Sequence, residues 1–210
     1  MVAERATLYV ADPINLTASF TYPATSLVSY LFQRVPGQFY EWQCLAGLDI
    51  LFLACIAPAA AMPRKNWAGA VLVFAAGFLL PFFFSVVPAG TPSTIYANAM
   101  ADTPLALLFG GTLCLYAAAG GRKTGFFACA MPLAVLTMTK DIGFAYALIV
   151  TFLIGLDQLF GTPHPDTKPA RIFGVSLAKC SILAAVVLAV FISWNRYTAA
   201  VTPTETTGAN

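Results

Sequence analysis

The chain has 210 residues, of which 59% are hydrophobic and only 10% charged, with a formal net charge of +2. About a quarter of the residues of a soluble globule are charged, so this composition excludes one and points to a chain solvated by lipid. The small net charge argues against a nucleic-acid partner, and the sequence holds no zinc-ligand spacing, phosphate-binding loop or dinucleotide glycine fingerprint.

Residues 1–42 form the first unit. Asp12 stands there in "ADP", and Asn15-Leu16-Thr17 matches a glycosylation sequon, a pattern common by chance. In "YPATSLVSYLFQRVPGQFYEWQ", Leu27, Tyr30, Leu31 and Phe32 fall on one face of a helix that Pro36 would end. Tyr22, Phe39, Tyr40 and Trp42 supply interfacial aromatics, so an amphipathic helix lying on the membrane surface is expected.

Six apolar segments follow, over about 43–61, 67–87, 103–119, 125–138, 142–160 and 173–194. Most match the ~20 residues that cross a hydrocarbon core. The fourth reaches only about 21 Å at 1.5 Å per residue, so it crosses incompletely or carries Lys140 to the interface. The expected architecture is all-α: a polytopic transmembrane bundle of about six spanning helices over residues 43–195, with an outer juxtamembrane helix before it and an outer tail, 196–210, after it. No internal repeat is visible. The five cysteines all fall in apolar runs and never as CxxC, as buried free thiols do.

Loop charges orient the bundle. Arg64, Lys65, Arg122, Lys123, Lys168 and Arg171 lie in every second connection, whereas the intervening ones hold Lys140 alone. Six basic residues against one put the three basic loops on the cytoplasmic side and residues 1–42 outside. Lys179 is placed to snorkel to the cytoplasmic face. An outer amino terminus with no preceding span or signal peptide gives the expectation that the chain is a fragment of a longer protein.

The orientation sorts the ionisable residues. Glu4, Asp12, Glu41, Asp49, Asp102 and Asp141 fall outside or in the outer half of a span, together with Lys140. A lysine among outer carboxylates suits a phosphate and a polar acceptor. Plainer readings stand beside each. Lys140–Asp141 reads equally as a self-paired turn of a helical hairpin, and Asp102 before Thr103-Pro104 as a helix N-cap. Asp49 within a span is functional or paired inside the bundle, whereas Asp157 near a helix end is expected to be solvated. His164, the single histidine, sits in a Pro-rich cytoplasmic loop with no second ligand.

The succession "TYPATSLVSYLF", "YANAMADTPLALLFGGTLCLY" and "LAVLTMTKDIGFAYALIV" resembles the GT-C superfamily of polytopic glycosyltransferases, of the mannosyltransferase and arabinosyltransferase-like bacterial type. The matching residues are Tyr22 and Pro23, then Tyr96, Asp102 and Pro104, then Thr139, Lys140, Asp141 and Gly143. Ala24 stands where the family's pattern has a second proline, and the acidic pair of its first outer loop has no counterpart besides Asp12. The resemblance implies sugar transfer from a polyprenyl-phosphate donor to a glycan or lipid acceptor, on the outer face of a bacterial inner membrane. It implies Lys140 and Tyr96 at the donor phosphate and Asp12 or Asp102 as base, with Asp141 in support; Asp49 is a further supporting candidate from its place within a span, and a divalent metal ion is left open. Two other classes remain: a transporter or flippase fragment, whose solute path the outer carboxylates and Lys140 would line, and a non-catalytic membrane subunit.

Overall fold

A computed structural model of the chain describes residues 23–34, 40–62, 66–83, 102–119, 123–161 and 169–201. All regular structure among them is helical: α1 (Ala24–Arg34), α2 (Glu41–Ala60), α3 (Trp67–Phe83), α4 (Asp102–Ala118), α5 (Lys123–Ala128), α6 (Ala130–Thr137), α7 (Gly143–Leu156) running into a π-helical turn (Asp157–Gly161), and α8 (Pro169–Val201).

Among the described residues, three helices are long and apolar enough to cross a membrane: Trp42–Ala60, Gly143–Phe160 and Phe173–Ala200. The other expected spans are shorter apolar helices, at Trp67–Leu79, Asp102–Ala118 and Phe126–Thr137. The fourth has an interrupted hydrogen-bond ladder: Pro132 has no N–H to give the carbonyl of Ala128, and Cys129, although its backbone angles are helical, separates α5 from α6. At the other extreme, the 33 residues of α8 reach about 50 Å, well beyond the ~30 Å of a hydrocarbon core.

The core lies where α4, α6, α7 and α8 meet. Leu105 and Leu108 of α4, Leu133 and Leu136 of α6, Val150 and Ile154 of α7, and Leu183 and Val187 of α8 are all buried there. On α2, Cys44, Leu48, Phe52 and Ile56 recur every four residues as one buried stripe. Glycines set the closest approaches. A Cβ on Gly111 of α4 would lie 2.8 Å from the Cys55 carbonyl oxygen on α2, and one on Gly77 of α3 would lie 2.8 Å from Ile56 Cγ2. At most a third of each long helix's most apolar window is buried within the molecule. Ile50, Phe152 and Phe173 are among the outward-facing side chains of these helices, as Trp67 and Leu72 are of α3, a surface that lipid solvates and water would not.

α1 forms and ends at Arg34, but the apolar face expected of it divides: Phe32 packs on α2, whereas the leucines turn outward. Ala24, Thr25, Ser26 and Ser29 are buried, whereas Leu27 and Leu31 are exposed. Small residues let α1 approach α2, where the Phe32 ring lies against Gly47 and Gln33 Nε2 donates to Cys44 Sγ at 3.0 Å. The helix thereby turns its leucines outward, as a segment bordered by lipid does. Pro36 lies outside the described residues.

Candidate functional site at one end of the bundle

Three segments singled out in the sequence meet at one end of the bundle. Helix α6 ends at Thr137, and residues 138–142 turn the chain into α7. Thr139 N–H donates to the Leu136 carbonyl at 3.2 Å, and Gly143 N–H to the Lys140 carbonyl at 2.8 Å. The turn is tight enough to need its glycine: a Cβ on Gly143 would lie 2.1 Å from the Leu136 carbonyl oxygen. Thr139 is buried, with its hydroxyl donating back to the Val135 carbonyl at 2.8 Å. Both motif residues thus build the turn, and neither faces outward for a ligand.

Lys140 leaves this turn towards solvent and pairs with Asp102, 38 residues away in the chain, its Nζ donating to Asp102 Oδ1. The expectation of a Lys140–Asp141 pair is therefore corrected. The ammonium bridges instead to the first turn of α4, and Asp141 lies exposed beside it. Asp102 is likewise no N-cap; it lies within the first turn of α4, with Pro104 buried beneath it. The third segment arrives through α1: Ala24 N–H donates to the Met138 carbonyl at 3.0 Å, anchoring the start of that helix on the same turn.

Of the other expected site residues, Asp12 and Tyr96 lie outside the described residues. Asp49 sits on α2, half-buried, and its Oδ1 has no hydrogen-bond partner among the described residues. It is not joined to the Lys140–Asp102 pair. No group of three His, Cys, Asp or Glu side chains capable of holding a metal occurs among the described residues. Asp102 already holds the Lys140 ammonium, which repels a divalent cation, so this pair does not fit the metal left open from the sequence.

A second polar cluster joins α4, the π turn and α8. Lys179 Nζ donates to Gln158 Oε1 at 2.8 Å, Gln158 Nε2 to Tyr116 Oη at 2.5 Å, and Tyr116 O–H to Asp157 Oδ2 at 2.7 Å. All donors point one way, so a cation and a carboxylate are connected through two neutral groups. Lys179 also lies 5.7 Å from the centre of the Phe126 ring. Lys179 is therefore held within the bundle, where simple snorkelling was expected. Asp157, although exposed, is not merely solvated. The one signal in the sequence was Gln158, an amide beside Asp157 in an otherwise apolar stretch.

In comparisons with known proteins, no family model, curated protein or solved structure matches the chain.

Proposed function

We propose that the protein is an integral membrane glycosyltransferase, with about six crossings and the 138–142 turn on the outer side. It would transfer a sugar from a polyprenyl-phosphate donor to a glycan or lipid acceptor. The observation that carries this reading is the convergence of the α1 start, Asp102 and Lys140 at one end of the bundle. The orientation rests on the distribution of loop charge.

Lys140 supplies the positive charge for the phosphate. Side chains 46% and 67% exposed are reachable by a lipid headgroup, and exposed pairs contribute only about 0.2–1 kcal/mol, so an incoming phosphate replaces Asp102 at little cost. The exchange frees the Asp102 oxygen that now holds Lys140. The acceptor hydroxyl then attacks the anomeric carbon, its proton passes to the freed carboxylate, and the bond from that carbon to the phosphate oxygen breaks. Lys140 balances the negative charge that collects on the leaving phosphate. Tyr96 and Asp12 are proposed for the same site from the resemblance alone.

The test is sugar transfer in membranes containing the full chain, with a labelled polyprenyl-phosphate sugar as donor. Lys140→Ala is expected to lower transfer about 10²–10³-fold, the usual cost of removing a group that stabilises developing charge. Lys140→Arg should keep part of the activity. Unchanged transfer in Lys140→Ala would remove the assignment. The rival transporter reading draws on the polar chain from Lys179 to Asp157, because ionisable groups inside a bundle often mark a transport path. Solute uptake into proteoliposomes that is abolished by Tyr116→Phe would favour it.

A further inference from the structure

We infer that the outward face of α1 is a site for an anionic phospholipid, whose phosphate Arg34 binds. Leu27, Leu31 and Arg34 stand at i, i+4 and i+7 on one face of the helix, and all three are exposed. Arg34 is in the last turn of α1, where the negative end of the helix dipole favours a cation. Its guanidinium lies 6.0 Å from the centre of the Tyr30 ring, and among the described residues no carboxylate pairs with it. An arginine that shares a face with leucines borders lipid, and the anion at that level is a headgroup phosphate.

Contacts at both ends of α1 hold this arginine in place. Ala24 N–H donates to the Met138 carbonyl at 3.0 Å, and the Phe32 ring lies against Gly47. Gln33 ties the last turn to the start of α2: Tyr40 N–H donates to Gln33 Oε1 at 3.0 Å, and Gln33 Nε2 donates to the Tyr40 carbonyl. That clamp brings Tyr40 and Trp42, both exposed and with ring centres 6.5 Å apart, to the Arg34 end of the helix. Tyrosine and tryptophan of this kind sit at headgroup level in a bilayer. A preorganised cation between leucines and interfacial aromatics suits a molecule with a phosphate at one end and hydrocarbon at the other. A soluble phosphate would leave Leu27 and Leu31 uncovered. The inference depends neither on sugar transfer nor on the side of the membrane that α1 faces.

The test is fluorescence quenching of Trp42 in the full chain carrying Trp67→Phe and Trp194→Phe, reconstituted in vesicles of equimolar phosphatidylglycerol and phosphatidylcholine. One lipid at a time bears bromine on its acyl chains. Brominated phosphatidylglycerol is expected to quench as though enriched about fivefold at Trp42, the preference that one cation confers. Arg34→Gln should make the two lipids equal, and Arg34→Lys should keep part of the preference. If the two phenylalanines prevent folding, native mass spectrometry of the chain with its own tryptophans, and of Arg34→Gln, reads the same preference from the lipid retained. Equal effects of both lipids, a preference that survives in Arg34→Gln, or a Trp42 that neither lipid reaches because a second copy covers it would overturn the inference.

Discussion

Lys140 and Gly143 occupy one turn for different reasons. Gly143 is there for the backbone, because any side chain would meet the Leu136 carbonyl oxygen. Gly143→Ala is expected to destabilise the detergent-solubilised protein by about 1–3 kcal/mol through that overlap, read as a lowered unfolding midpoint. Lys140 is partly exposed and makes one ion pair. Lys140→Ala should therefore change the unfolding midpoint little, by about 1 kcal/mol or less, while removing transfer. A Lys140→Ala variant that unfolds early and still transfers sugar would contradict the assignment of Lys140. Asp102→Asn keeps an oxygen for Lys140 and cannot take up the acceptor's proton, so transfer should fall with little change in donor affinity.

Among the helices, the polar chain from Lys179 to Asp157 makes the sharpest prediction. Tyr116→Phe removes the hydroxyl that joins the two halves, leaving the buried Gln158 amide with one partner fewer. The expected cost is about 1–3 kcal/mol in detergent unfolding. Because the groups act in series, Tyr116→Phe and Lys179→Met should be non-additive by about 0.5 kcal/mol or more in a double-mutant cycle. Additive effects would show that the links are independent.

Much at this scale was legible in the sequence. Helices α2, α3, α4 and α7 begin within two residues of the expected starts, whereas the buried stripe of α2 was not legible, because that helix is apolar nearly all round. The outward leucines of α1 agree with the surface helix expected from the sequence; the other side, where Thr25, Ser26 and Ser29 pack into the bundle, was not legible, because apolar periodicity marks only the face turned to lipid. Nor could spacing pair Lys140 with Asp102 rather than with its neighbour Asp141, since a contact across 38 residues depends on how α4 and α6 pack.

For the whole molecule, composition already required lipid, and the outward-facing apolar side chains of three long helices agree with it. The number of crossings is harder to read. A 17-residue helix such as α4 spans about 26 Å, close to but short of the hydrocarbon thickness. Loop charge supplies the sidedness, and sidedness decides whether Lys140 meets an outer-face donor. Single cysteines can test both together, compared with the unmodified chain, whose own thiols lie in its apolar helices. Asp141→Cys and Asn66→Cys in intact cells are treated with a membrane-impermeant maleimide, with and without added polyprenyl phosphate. Labelling at position 141 but not at 66, slowed by the polyprenyl phosphate, is the predicted result. Labelling at 66 alone, or labelling at 141 that the polyprenyl phosphate leaves unchanged, would contradict an outer phosphate site at Lys140.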